Sequence, residues 1–185
     1  MSAGHIIAAL WLIGLGYWIL TARGNKKTVH RDKSAWRKSF IGVLIMYFVL
    51  LYFGRGMWQN QLIPENLFAE VAGVFLCALG VALAIWARRT LGTNWSASPT
   101  IKEGHELITR GPYQFVRHPI YTGILFALLG TAIAGGLARE FLLFAILSIT
   151  FYLKLRIEEA LMLRQFPEAY PAYRQKTKAL IPFVF

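Results

Sequence analysis

Cysteine is nearly absent: Cys77 is the one thiol in 185 residues. Neither a disulfide framework nor a zinc site can be built on it, because each needs further ligands of the same kind. Histidine is sparse as well, and His5, His30, His105 and His118 are too scattered for metal-ligand spacing, so no metal is expected. Acidic side chains number 9 against 20 basic ones, leaving a formal charge of +11. There is no internal repeat, no low-complexity tract and no Gly-rich dinucleotide fingerprint. Charged residues are only 16% of the chain, hydrophobic ones reach 56%, and the mean hydropathy is +0.47. That balance is too apolar for an ordinary soluble domain.

What is abundant is long apolar sequence, in residues 4–20, 39–53, 67–87, 120–137 and 141–153. A membrane span takes about 20 apolar residues, with a lower limit of about 17. The second and fifth runs are short and must recruit flanking aromatics or tilt within a bundle. The pattern predicts an all-α integral membrane bundle of five transmembrane helices. The first run has no basic region before it and no small-residue cleavage pattern after it, so it reads as a span rather than a removed signal peptide.

The basic residues crowd three places: 23–38, 88–117 and 154–178. Only Arg55 and Arg139 fall in the alternate connections. By the positive-inside rule this puts the N-terminus outside and the C-terminus in the cytosol. Residues 26–38 suit anionic lipid headgroups. Nucleic acid is excluded as a partner, since a basic soluble groove interleaved with aromatics is lacking.

The chain changes character after Arg89, dividing into residues 1–89, three helices with a basic loop, and residues 90–185, the half expected to hold the chemistry. Residues 90–118 are polar and too long for a mere connector. Gly92, Pro99, Gly104 and Gly111 break that segment into turns, and Leu107, Ile108, Tyr113 and Phe115 argue for order. Pro119 suits the first position of the next helix, where its missing N–H costs nothing. The stretch AGGLARE, 134–140, is short enough to force an antiparallel helical hairpin. The tail after Lys154 begins as a helical extension, and Phe166, Tyr170 and Tyr173 fall on one face if it is helical.

Two ionisable clusters face each other in such a hairpin. In GPYQFVRHPIYTG, 111–123, Arg117 and His118 stand at the edge of an apolar run, where charge is costly without a partner. His118 lies at the helix cap with Tyr121 about one turn in. The free N–H groups and helix dipole there favour a carboxylate or phosphate, and Arg117 adds a fixed charge to that binding set. The plainer reading is an anchor at the headgroups. In KLRIEE, 154–159, Lys154 and Glu158 are four apart and suit a surface ion pair. Alternatively, a carboxylate facing His118 suits a cationic group such as an ammonium or sulfonium.

These residues carry a resemblance. LGTNWS (91–96), HELITRGPYQFVRHPIYTG (105–123), EEALMLRQFPEAYPAY (158–173) and LIPF (180–183) resemble the isoprenylcysteine carboxyl methyltransferase family in its short, prokaryote-like form. The resemblance implies S-adenosylmethionine as cofactor, bound between the helical hairpin and the cytosolic segments. It assigns cofactor contacts to His105, Glu106, Leu107, Ile108, Tyr113, His118, Pro119, Ile120, Tyr121 and Glu158. The acceptor-orienting place falls to Lys154, with Arg156 as the alternative; a lysine lacks the bidentate fork of arginine. The implied acceptor is lipophilic or prenylated, most simply the carboxylate of an isoprenylated cysteine, entering from the bilayer of a prokaryotic inner membrane. Methyl transfer to a carboxylate needs positioning and desolvation more than acid–base help. Two rivals remain: an NADPH-dependent membrane reductase, because LIPFVF also resembles the end of the sterol reductases, and a non-enzymatic lipid-binding or assembly protein.

Overall fold

A computed structural model describes residues 2–22, 28–31, 42, 45, 47–49, 52, 56, 59–96 and 100–181. Most of the expected second span, most of the basic first loop and Trp58 lie outside the described residues. Five helices are labelled here in chain order: α1 (Ala3–Thr21), α2 (Leu67–Leu91), α3 (Pro119–Gly135), α4 (Ala138–Gln165) and α5 (Ala169–Lys176). Two short strands, β1 (Thr28–Arg31) and β2 (Thr100–Lys102), pair antiparallel and join the first loop to the polar segment, a ribbon that composition did not foretell. The body of the fold is helical, as expected.

The helix boundaries follow from local chemistry. Asn66 caps α2, its Oδ1 accepting from the Ala69 N–H at 2.8 Å, and Gly92 ends it with φ at 56°. His118 is the N-cap of α3 and Pro119 its first residue. Gly136, at φ 69°, turns the chain from α3 into α4. The hairpin is therefore tighter than the 134–140 connection expected, with only Gly136 and Leu137 between the helices.

Close packing between α2 and α3 rests on small residues. A Cβ on Gly130 would stand 2.4 Å from the Cys77 nitrogen, and one on Gly80 would stand 2.4 Å from the Ala127 nitrogen. Side chains there would force the helices apart, so the two backbones touch along this seam. Cys77 is fully buried in it, acting as a small apolar side chain. Helix α1 packs beside this pair: Ile7 joins Cys77, Val81 and Ala127 in one cluster, Gly14 lies against Val81, and the Trp11 indole N–H donates to Thr131 Oγ1 of α3 at 3.1 Å. Leu12, Ile13, Leu15, Ile19 and Leu20 face outward from α1, and Phe68, Val71 and Phe75 from α2. Large apolar side chains left so exposed call for a lipid solvent. Among the described residues, Ala3–Thr21 and Leu67–Asn94 are long and apolar enough to cross a membrane, whereas Pro119–Gly135 is shorter. The protein is a membrane protein.

After α5 the chain runs extended beside the start of α3, with a parallel bridge between Val116 and Lys178. The Arg117 and His118 N–H groups donate to the Lys178 and Ala179 carbonyls at 2.8 and 3.0 Å, and Thr122 Oγ1 donates to the Leu180 carbonyl at 2.7 Å. The tail is thereby stitched across the mouth of α3.

Candidate active site

Three elements converge where α3 begins. Gly111–Gln114 forms a single 3₁₀ turn that buries Tyr113, and the Tyr173 hydroxyl of α5 donates to the Tyr113 carbonyl at 2.6 Å. Burial raises the Tyr113 and Tyr170 phenols above their ordinary value, and burial pushes Tyr173 up to about 12 against the opposing Arg117 charge. All three stay neutral near pH 7.

The His118, Tyr121 and Phe151 rings form a continuous stack. His118 and Tyr121 lie 5.5 Å apart and 4° from parallel, and Tyr121 and Phe151 lie 4.9 Å apart and 10° from parallel. The Tyr121 hydroxyl donates a hydrogen bond to Glu158 Oε1 at 2.7 Å. Lys154 Nζ stands 3.7 Å from the same oxygen and 5.3 Å over the Tyr121 ring. Glu158 Oε2 faces His118 Nδ1 at 3.7 Å. One carboxylate is thus oriented by a phenol, an ammonium and an imidazole.

Behind this group sits a second carboxylate. Glu159 Oε1 accepts from Arg117 Nε at 2.7 Å and lies 3.4 Å from His118 Nε2, while Arg174 Nε approaches Oε2 at 3.8 Å. Arg117 also donates to the Thr177 carbonyl. Burial works to raise the Glu159 carboxyl, but close polar contacts from His118 and Arg117, and the Arg117 charge, hold it down to about 2.

These groups open onto a cavity of about 380 Å³, within the size range of small-molecule sites. His105, Glu106, Leu107 and Ile108 line it, as do Tyr113, Arg117, His118, Ile120, Tyr121, Lys154 and Glu158. Pro119 does not line it; its side chain is almost fully buried at the helix start. Arg156 is turned away and exposed, with Nη1 on the Tyr152 hydroxyl at 3.2 Å. Of the two candidate acceptor-orienting cations, only Lys154 reaches the cavity. Just before the helix start, the tail carbonyls accept from the Arg117 and His118 N–H groups.

The sequence reading missed several walls. Trp18 comes from α1, Trp95 and Asn94 from the turn after α2, Ile124 and Phe151 from the hairpin, and Tyr170 and Tyr173 from α5. The spacing of Tyr170 and Tyr173 holds the signal of a shared face, and the LGTNWS motif contains Asn94 and Trp95; Trp18 lies in an apolar run with nothing to single it out. Arg88 fixes the Trp95 wall, its guanidinium 4.6 Å over the indole, with Nη2 donating to the Thr21 carbonyl of α1 and Nη1 to the Gly92 carbonyl, each at 2.8 Å.

Residues 68–169, more than half the chain, match the family profile described as phospholipid methyltransferase. The chain belongs to the phospholipid methyltransferase family. Within this family it is a member of the isoprenylcysteine carboxyl methyltransferase group, as its motifs indicated. The protein-S-isoprenylcysteine O-methyltransferase of Schizosaccharomyces pombe is 36% identical over 60% of this chain and 48% of its own length. The solved structure of the eukaryotic intramembrane Ras methyltransferase, isoprenylcysteine carboxyl methyltransferase, matches with a TM-score of 0.55 and 26% identity, covering 84% of this chain and 55% of that one. The cobalt-zinc-cadmium resistance protein CzcN of Cupriavidus metallidurans is 30% identical over 87% of this chain and 68% of its own. This phospholipid methyltransferase family member thus spans about half the length of the curated isoprenylcysteine relative and of the solved enzyme. Among the described residues no group of three or more His, Cys, Asp or Glu is placed to hold a metal ion. The matched region contains the whole α3–α4 hairpin with Glu158 and Glu159, but neither Trp18 nor the Tyr170 and Tyr173 wall.

Proposed function

We propose that the protein is an S-adenosylmethionine-dependent methyltransferase embedded in the membrane. Its acceptor is a carboxylate on a lipophilic group, most simply that of an isoprenylated cysteine. In this reading the N-terminus is outside, five helices span the membrane, and the cavity opens at the cytosolic face of a prokaryotic inner membrane. The observation that carries it is Glu158. This carboxylate is only 22% exposed and is aimed by Tyr121 into an aromatic-walled cavity where apolar helices meet polar segments.

The residues present fit such a donor. A partly buried carboxylate favours a cationic ligand group, and electron-rich ring faces add to that preference. The Tyr113 and Trp95 rings supply such faces, and Leu107 and Ile108 add apolar wall beside the polar Asn94 and Glu106. When bound, the cofactor supplies a methyl group on a positively charged sulfur, ready for in-line displacement.

The chain's own residues then have positioning tasks. Glu158 holds the cationic end, and Lys154, one helical turn before it, orients an ionised acceptor. An ionised carboxylate needs no base to become a nucleophile, and the ester formed carries no proton to remove. Phe151, Ile124 and Trp18 keep water away on the side toward the spans, where a greasy acceptor tail enters.

Calorimetry on detergent-purified protein tests this reading with S-adenosylmethionine, S-adenosylhomocysteine and NADPH. Binding of the first two, lost in folded Glu158→Ala, followed by methyl-ester formation on an S-prenylated cysteine, is the expected result. NADPH binding alone would transfer the protein to the reductases, and binding of none of them would leave a non-enzymatic role.

A further inference from the structure

Glu159 does not line the cavity, yet it touches two residues that do. The side chains of Glu159 and Arg117 are 7% and 8% exposed, so this ion pair is shielded from water. His118 Nε2 is also buried, and it makes no well-aligned hydrogen bond within the protein; the carboxylate facing it is Glu159, at 3.4 Å. A ring nitrogen pressed toward a buried carboxylate is favoured as N–H, since a lone pair there meets only negative charge. The nitrogen a histidine turns toward its site is set by what the other nitrogen meets.

We propose that Glu159 is a positioning residue that keeps the proton of His118 on Nε2 and thereby turns Nδ1 toward Glu158 and the cavity. In the neutral ring Nδ1 is then an acceptor 3.7 Å from Glu158 Oε2. One N–H donor group about 2.9 Å from each atom bridges such a pair. The ligand fragment that fits is a primary ammonium, held between Glu158 and His118. The adjacent carboxylates have separate tasks: Glu158 meets the ligand and Glu159 sets the ring that helps it. Arg117 keeps Glu159 charged and in place, and its bond to the Thr177 carbonyl ties this arrangement to the tail.

The ammonium part rests on the proposed cofactor reading; the proton placement does not. The chain has four histidines, so long-range ¹⁵N–¹H spectra of ¹⁵N-histidine-labelled protein in detergent resolve each ring, with His118→Asn giving the assignment. The expected ligand-free spectrum shows His118, when neutral, protonated at Nε2. A neutral ring protonated at Nδ1 would overturn the proposal. Glu159→Gln is expected to lower the Nε2–H fraction and to weaken S-adenosylmethionine binding about tenfold, the effect of one hydrogen bond to a charged group. In a His118→Asn background the same substitution is expected to change binding little, because Glu159 acts through that ring. An unchanged His118 spectrum in Glu159→Gln, or full additivity in the double variant, sinks the role of Glu159. If Glu159→Gln fails to fold, Arg117→Met/Glu159→Met replaces the buried pair with apolar groups and reads the same spectrum. Absence of cofactor binding by the wild type, with Nε2–H still observed, would overturn the proposed function and leave the proton placement standing.

Discussion

Tyr121 offers both ring faces to His118 and Phe151 and its hydroxyl to Glu158, so packing and polarity can be separated at one position. Tyr121→Phe keeps the stack and loses the 2.7 Å hydrogen bond. Its expected effect is about tenfold weaker S-adenosylmethionine binding by calorimetry, with an unchanged unfolding temperature. Wild-type affinity in this variant would mean that the phenol does not aim Glu158. Glu159 makes a different prediction. Its carboxyl is held at about 2, below the ordinary 4.5, by His118 and Arg117 acting against burial. A carboxyl depressed in the fold stabilises it above pH 4.5, and that contribution is lost as the pH falls toward 2. The gap in unfolding temperature between wild type and Glu159→Gln is therefore expected to narrow across that window in scanning fluorimetry. Parallel curves from pH 6 down to about 2 would rule out Glu159 as the source.

The pairing of α2 with α3 is decided by backbone contact, and its tolerance for an added methyl group is small. Gly130→Ala places a Cβ 2.4 Å from a backbone nitrogen, whereas a Cβ on Gly16 of α1 meets nothing within 4 Å. Overpacking of this kind costs about 1–3 kcal/mol. Thermal unfolding should therefore show a clear loss for Gly130→Ala and none for Gly16→Ala; equal effects would mean that the seam is not as close as described. Helix α4 has 28 residues, about 42 Å at 1.5 Å per residue. That exceeds a hydrocarbon core of about 30 Å. In the proposed five-span arrangement this surplus carries Glu158 and Glu159 out of the apolar layer, to where Arg117 meets Glu159. The tail in turn supplies the carbonyls that accept from Arg117 and His118 where α3 begins.

The basic residues concentrate in 23–38, 88–117 and 154–178, and this pattern sets the proposed orientation in the membrane. Cys77 is fully buried, so the wild type offers a low background for thiol labelling. Single substitutions Ser2→Cys and Lys176→Cys test the orientation with a membrane-impermeant maleimide on intact cells. Ser2→Cys is expected to label from outside and Lys176→Cys only after permeabilisation; the reverse pattern would invert the proposed topology.

Much of this was written in short stretches of sequence. Apolar runs announced helices, Pro119 after His118 announced a helix start, and 134–140 announced a hairpin, because each depends on neighbours within a turn or two. The partition of tasks among Lys154, Arg156, Glu158 and Glu159 was not legible in the same way. Successive residues on a helix point about 100° apart, so which of them meets the cavity depends on how α4 is rotated against α3. Packing between distant segments sets that rotation, turning Lys154 and Glu158 inward, Arg156 outward and Glu159 onto Arg117. Trp18 and Tyr173 reach one cavity from opposite ends of the chain for the same reason: local pattern specifies the helices, and their long-range contacts specify which side chains share a site.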